Sequence, residues 1–389
     1  MEADKLLNIL DYWSFWDGQI PDSIDRDVSL PSELGNNSVL IVQGVRRAGK
    51  STLLSKLPTH YSLNCKDCAF VNFEDPQLTQ ELEYGILDKI VTVFREHRAH
   101  QRGLYFFLDE IQNVEGWQKW IRKCLERPGN NYFILSGSNA SMLSGDLASV
   151  LTGRHRTIQL FPFSFHEFLR VKLKANVEDY LFDGGFPEPL QTKEGEDLLR
   201  QYFFDIIERD VRESLGARSS LSIRQVVQMV YESAGSEMSL RRIAGATGLA
   251  TDTVSSYLEA CESAYLLFSC PYFAFSAKKR ANRNRKYYPI DTGLRRVVIS
   301  KSGKDHGKQL EIAVFLELKK RFGEVYYWKG NGEVDFVINS KEGIFPVQVT
   351  WGEAQERHQN ALEEFFENFP MAEEAIHVNA ENFGSQWLP

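Results

Sequence analysis

The sequence predicts an α/β protein organised around a phosphate-binding loop, and three stretches carry that prediction. Val39 to Val42 read as a short buried strand running straight into Gly44-Val45-Arg46-Arg47-Ala48-Gly49-Lys50-Ser51, the G-x-x-x-x-G-K-[ST] spacing of a P-loop, and the helical STLLSKL comes next. Leu104-Tyr105-Phe106-Phe107-Leu108 is a continuous apolar strand that ends in Asp109-Glu110. Asn131-Tyr132-Phe133-Ile134-Leu135 is another buried strand, ending in Ser136-Gly137-Ser138-Asn139.

Bulk properties narrow the classes. A chain of 389 residues is too long for one ordinary core and predicts about two to four domains. Lys+Arg 45 against Asp+Glu 53 gives a net charge of −8, so any nucleic-acid contact must come from a local basic patch. No apolar run approaches ~18 residues, and MEADKLLNIL lacks a basic stretch followed by an apolar one. A cytoplasmic protein without a membrane span is expected. Five cysteines, an odd number, do not suggest a disulfide framework. Cys65 and Cys68 form one C-x-x-C with no second pair, the pattern of ordinary thiols beside a strand more than of a zinc site.

Taken in order, residues 1–33 read as an N-terminal helical segment: Leu6, Leu7, Ile9, Leu10, Trp13, Phe15 and Trp16 make residues 1–20 helix-like and apolar, and Pro21 and Pro31 break the stretch between that helix and the first strand. Residues 34–165 form the P-loop core. Gly44 and Gly49 let the backbone approach anionic oxygens, so that the N–H groups from Val45 to Thr52 can face a polyphosphate. Lys50 supplies a charge to the β- and γ-phosphates, Ser51 a hydroxyl to Mg²⁺, and the helix beginning near Lys50 adds its positive N-terminal end. CAFVNFED reads as a strand, and residues 78–97 as a helix. The apolar strand ending in Asp109-Glu110 is the pattern known as Walker B. Downstream of a P-loop, Asp109 is expected to hold Mg²⁺ and Glu110 to polarise an attacking water. Ser136 and Ser138 are candidates for a group beside the γ-phosphate, against the alternative of a Ser/Gly turn that caps a helix. Arg154, with Arg156 in reserve, precedes the strand TIQLFPF, from which an arginine can reach a neighbouring subunit's γ-phosphate. The other reading of these arginines is surface ion pairing.

The stretches GVRRAGKSTLL, FFLDEIQ, LSGSNASML and GRHRTIQLFPFSFHEFL, in this order, resemble the AAA-type P-loop ATPases of bacteria and archaea whose second half is a domain of formerly unknown function. The resemblance covers most of the chain. It implies a central parallel sheet flanked by helices, a helical lid after residue 165, and ATP as the nucleotide.

The helical lid is expected over 166–218. Residues 219–290 read as a winged helix: SLRRIAGATGLATDTVSSYLEACESAYLLF has helix, Gly-containing turn, helix and strand, a helix-turn-helix pattern. Lys278, Lys279, Arg280, Arg283, Arg285 and Lys286 then make a basic loop between two strands with no acidic residue among them, a candidate contact for DNA phosphates. Residues 291–389 carry an amphipathic helix with Glu311, then EVYYWKGNGEVDFVI and IFPVQVTW, and resemble the restriction-endonuclease-like fold. Asp335 matches that fold's Asp, whereas Gln348 and Thr350 stand where an acid and a lysine belong. A neutral amide and a hydroxyl do not bind the metal or steady a nucleophile, so phosphodiester cleavage is expected to be lost. The functional expectation is a self-associating, Mg²⁺-dependent ATPase whose hydrolysis moves a DNA-binding second half. The alternatives are an ATP-controlled switch for a protein partner and an ATP-dependent nuclease.

Overall fold

An apolar run of four residues with no polar alternation suits a strand covered on both faces, and Val39–Gln43 (β1), which ends that run in Gln43, is buried along its whole length. The computed structural model describes residues 1–97, 103–127, 129–140, 151, 153–299 and 305–385, and the chain divides into two units, Met1–Leu160 and Phe161–Pro389. Part of the LSGSNASML stretch lies outside the described residues.

The first unit begins with α1 (Ala3–Trp13), whose Leu6, Ile9 and Leu10 lie on one buried face. The helix stops at Trp13, short of the helix-like reach to residue 20 read from the sequence. The cause is a competing set of bonds to a strand edge: Ser14 Oγ accepts from Phe70 N at 3.0 Å and Trp16 Nε1 donates to the Cys68 carbonyl at 2.8 Å. After β1 come α2 (Lys50–His60), β2 (Cys68–Asn72), α3 (Gly85–His97), β3 (Leu104–Asp109), α4 (Trp117–Glu126), β4 (Asn131–Gly137) and β5 (His155–Gln159). The strands form one sheet in the order β2-β3-β4-β1-β5, every pairing parallel. Val39, Ile41, Val71, Phe106, Leu108 and Leu135 alternate along their strands and pack in one core with Leu10, Ile90, Phe94, Trp117 and Ile121 of the helices.

In the second unit, α5 (Phe165–Val171) starts with a capping box of Ser164 and Glu167, and α6 (Val177–Asp183) with one of Asn176 and Asp179. α7 (Gly195–Asp205) runs on through a π-helical stretch, Ile206–Arg212. Next in the chain are α8 (Leu221–Glu232), α9 (Leu240–Thr247) and α10 (Thr251–Ser263), with the left-handed Gly248 ending α9. β6 (Leu267–Cys270) pairs antiparallel with β7 (Lys286–Pro289). The basic connection between them is not a plain loop, because Ser276 caps a short helix, α11 (Ala277–Ala281). α12 (Thr292–Val298) and α13 (His306–Phe322) lead to β8 (Tyr326–Lys329), β9 (Glu333–Asn339), β10 (Ile344–Val349), α14 (Glu356–Asn368) and β11 (Ile376–Val378). The sheet order is β11-β10-β9-β8, antiparallel except for β10 with β11. Among the described residues no helix is long and apolar enough to cross a membrane.

Candidate nucleotide site

Parallel pairing brings the carboxyl ends of β1, β3 and β4 together, with Val42 opposite Ser136 and Leu108 opposite Leu135. Chain order reverses here, since β4 lies between β1 and β3, and in open α/β sheets such a crevice is where ligands bind. Everything the loops contribute is therefore delivered to one place.

The P-loop leaves β1 at Gly44, whose φ is 157° and whose N–H donates to the Gly137 carbonyl at 3.3 Å. A Cβ on Gly44 would sit 2.0 Å from the Leu160 carbonyl oxygen, so only glycine fits between β1 and the chain leaving β5. Gly49, at φ 95°, begins α2 in the left-handed region. Val45 and Ala48 are buried and anchor the loop, while Arg47 is exposed and itself left-handed at φ 70°. Arg46 pairs with Glu74 at 2.7 Å, and Thr52 is exposed on the first turn of α2.

Both motifs meet directly. Lys50, 4% exposed, places Nζ 3.4 Å from Glu110 Oε1 and 3.3 Å from the Val45 carbonyl. Ser51 Oγ donates to Asp109 Oδ2 at 2.6 Å, and Ser136 Oγ donates to Asp109 Oδ1. The Glu110 N–H donates to Ser136 Oγ at 3.1 Å, so that hydroxyl is committed to the Asp-Glu pair. Ser138, two residues further along β4's exit, has its hydroxyl 3.5 Å from Gln112 Nε2.

The two carboxyls differ in their electrostatics. Burial pushes Asp109 up and the Glu110 charge adds to this, while Ser136, Ser51 and Lys50 pull back without cancelling it. Burial also disfavours charge on Glu110, but Lys50, the Gln112 amide and Arg46 outweigh it and hold that carboxyl below its usual range. Glu110 is thus held ionised, whereas Asp109 gains most from a cation. A carboxylate and a hydroxyl 2.6 Å apart are the hard oxygen donors that Mg²⁺ takes, and the pair fits that ion.

Arg154 lies elsewhere. Its carbonyl accepts from Val39 N at 3.0 Å, at the amino end of β1, and its Nη1 donates to the Leu125 carbonyl at 3.2 Å. The P-loop starts at the other end of that strand, roughly 17 Å away at about 3.3 Å per residue.

Two residues at the site had no motif to mark them. Arg26 Nη1 donates to the Ala48 carbonyl at 2.7 Å, held by a segment that Lys56 ties down through the Ser23 carbonyl at 2.6 Å and Asp25 at 2.7 Å. Gln112 Nε2 donates to Glu110 Oε2 at 2.5 Å. Its position just past the Asp-Glu pair was the one available signal.

In the second unit, Lys278, Lys279, Arg283 and Arg285 are exposed and Arg280 is half-buried. Lys286 is different. It is fully buried, bonded to Glu333 Oε1 at 2.5 Å and over the Tyr327 ring at 5.1 Å, so it is not available to a DNA phosphate. Strand β7 points it inward, and the acid that offsets it comes from β9, which is why the local sequence read as an uncompensated run. Around it, Asp335 Oδ2 accepts from Gln348 Nε2 at 2.6 Å and Val349 N at 2.8 Å, Glu311 accepts from Tyr288 at 2.8 Å, and Thr350 Oγ1 donates to the Gly352 carbonyl at 2.5 Å. Burial and the Glu311 charge push the Asp335 carboxyl up to about 7, against the pull of Lys286. Among the described residues no group of three or more His, Cys, Asp and Glu side chains could hold a metal ion. Cys68 is buried and its thiol is pushed well up by that burial, which disfavours a thiolate ligand at the C-x-x-C.

Fold and site together are those of a P-loop domain. A family model described as an AAA domain matches residues 36–169, and two domains of unknown function match 174–305 and 306–386. The chain is 30% identical over 345 residues to an uncharacterized protein of Haemophilus influenzae, covering 82% of this chain and 84% of that one. It is 32% identical over 343 residues to an uncharacterized protein of Methanocaldococcus jannaschii, covering 81% and 75%. It belongs to the same family as these two proteins. Among solved structures it is similar to Cdc6p from Pyrobaculum aerophilum, at 14% identity over 76% of this chain and 91% of that one with a TM-score of 0.28.

Proposed function

We propose that the chain is a Mg²⁺-dependent ATPase that couples ATP binding and hydrolysis to DNA binding or remodelling through its second unit. The carrying observation is the meeting of the two motifs, with Ser51 2.6 Å from Asp109 and Lys50 3.4 Å from Glu110. On this reading Lys50 turns from Glu110 to the phosphates, and the loop N–H groups and the start of α2 hold the β-phosphate. Ser51 and Asp109 hold Mg²⁺, which when bound draws charge from the phosphoryl oxygens. Glu110 takes a proton from the attacking water. Arg154 is assigned to a neighbouring copy, because its place at the amino end of β1 keeps it from its own P-loop. The winged-helix reading of α8 to β7 rests on α9, α10 and the β6–β7 hairpin, and the exposed Lys278, Lys279, Arg283 and Arg285 are its candidate DNA contacts.

The test is ATP turnover with Mg²⁺, with and without single-stranded, double-stranded and branched DNA. Lys50→Ala is expected to abolish turnover, and Glu110→Gln to lower kcat by roughly 10²–10⁴ with ATP still bound. DNA should stimulate the wild type, and its binding should weaken steeply with salt. Turnover indifferent to Lys50→Ala refutes the site. Turnover that no DNA changes, with no salt-dependent binding, refutes the DNA arm and leaves a switch acting on a protein partner.

A further inference from the structure

Resting on the ATPase reading above, we propose that Gln112 is a positioning residue that aims Glu110 and couples it to the end of β4 through Ser138. Glu110 is a non-glycine residue held at φ 53°, ψ 45°, a left-handed conformation that persists only where the surroundings over-determine it. Three groups do so. Ser136 Oγ accepts the Glu110 N–H at 3.1 Å, Lys50 lies 3.4 Å from one carboxylate oxygen, and Gln112 Nε2 donates to the other at 2.5 Å. The first two have a second task, Ser136 with Asp109 and Lys50 with the phosphates. When Lys50 turns to a phosphate, Gln112 is what still fixes the carboxylate.

The chemistry of an amide suits that task. Lys50 already brings a cation 3.4 Å from one carboxylate oxygen, whereas the neutral amide fixes the other oxygen through a single directed hydrogen bond. The same Nε2 lies 3.5 Å from Ser138 Oγ, so a shift at the end of β4 moves the amide and with it the base. Gln112 Oε1 is buried with no hydrogen-bond partner. Buried polar oxygens are seldom left so, and this amide is held by its donor side alone, against the base that takes a proton from the attacking water. The water oxygen then bonds to the γ-phosphorus, its proton goes to Glu110, and the bond from that phosphorus to the bridging oxygen breaks, giving ADP and phosphate.

The experiment is steady-state ATP turnover by the full chain with Mg²⁺, with kcat and KM taken separately, for wild type, Gln112→Leu and Gln112→Glu. For Gln112→Leu we expect kcat to fall roughly 10–100-fold while KM for ATP stays within about 2-fold. Gln112→Glu, which keeps the shape but lacks the amide donor, should lose at least as much in kcat. A Gln112→Leu enzyme with wild-type kcat overturns this inference and leaves the ATPase reading standing. So does a variant in which kcat and KM worsen together with the unfolding midpoint lowered. A wild type that turns over no ATP removes the ATPase reading, and this inference with it.

Discussion

Replacing Lys286 by methionine tests whether this cation serves the interior of the second unit or its surface. The ammonium is fully buried and bonded to Glu333 at 2.5 Å. Burial alone would lower its proton affinity, but Glu311, Glu333 and Asp335 together raise it above the usual lysine value. A folded value above the unfolded one, about 10.4, means its stabilising contribution is complete below pH ~10 and is lost only as pH rises through the folded value. At neutral pH, Lys286→Met therefore leaves carboxylates facing one another without their cation. Breaking one side of a buried pair costs about 3–5 kcal/mol, and the lower end is expected because Glu333 is 35% exposed and Asp335, already raised, can take up a proton. For a unit of this size that is a drop of roughly 6–12 °C in Tm. The assay is urea unfolding of the full chain at pH 7 and at pH 5, where protonation of Asp335 should shrink the difference. DNA binding across salt should keep its slope, whereas Lys279→Ala and Arg283→Ala should each reduce it. A change below about 1 kcal/mol in stability, joined to a shallower salt slope, would return Lys286 to the surface and refute the reasoning.

Three further outcomes rest on particular contacts. Gly44→Ala puts a Cβ 2.0 Å from the Leu160 carbonyl, so β1 and the chain after β5 must separate; ATP affinity should fall at least 10-fold, and a calorimetric Kd equal to wild type would contradict this. Asp291 caps α12 and accepts from Gly185 N at 2.6 Å and Leu294 N at 2.7 Å, so Asp291→Ala strands buried donors and should cost on the order of 2–5 kcal/mol in urea unfolding. The same carboxyl is pushed up to about 6 by burial, above its unfolded value near 3.9, so the folded state binds the extra proton between the two. Wild-type stability should then decline relative to Asp291→Asn as pH rises from about 4 to about 6 and run parallel to it above, a difference that paired denaturation curves would reveal or exclude.

What the sequence alone determined is the chemistry that is contiguous along the chain. A strand, a glycine turn, Lys50 and Ser51 form one local unit, and an apolar strand ending in Asp109-Glu110 forms another; periodicity and spacing suffice because each unit is fixed by its own backbone. The two helices on either side of Gly248 and the strands around Asp335 were legible for the same reason. Tertiary structure alone decided which side chains complete those units. The sheet order β2-β3-β4-β1-β5 sets Ser136 against Asp109, and places Arg154 at the far end of β1 from the P-loop. Arg26 reaches the Ala48 carbonyl from an irregular segment without a motif. Lys286 finds its counter-charge 47 residues away, on another strand. Compensation of a charge and aim of a carboxylate depend on what lies within a few ångströms in space, and distance along the chain carries no information about that until the strands have paired.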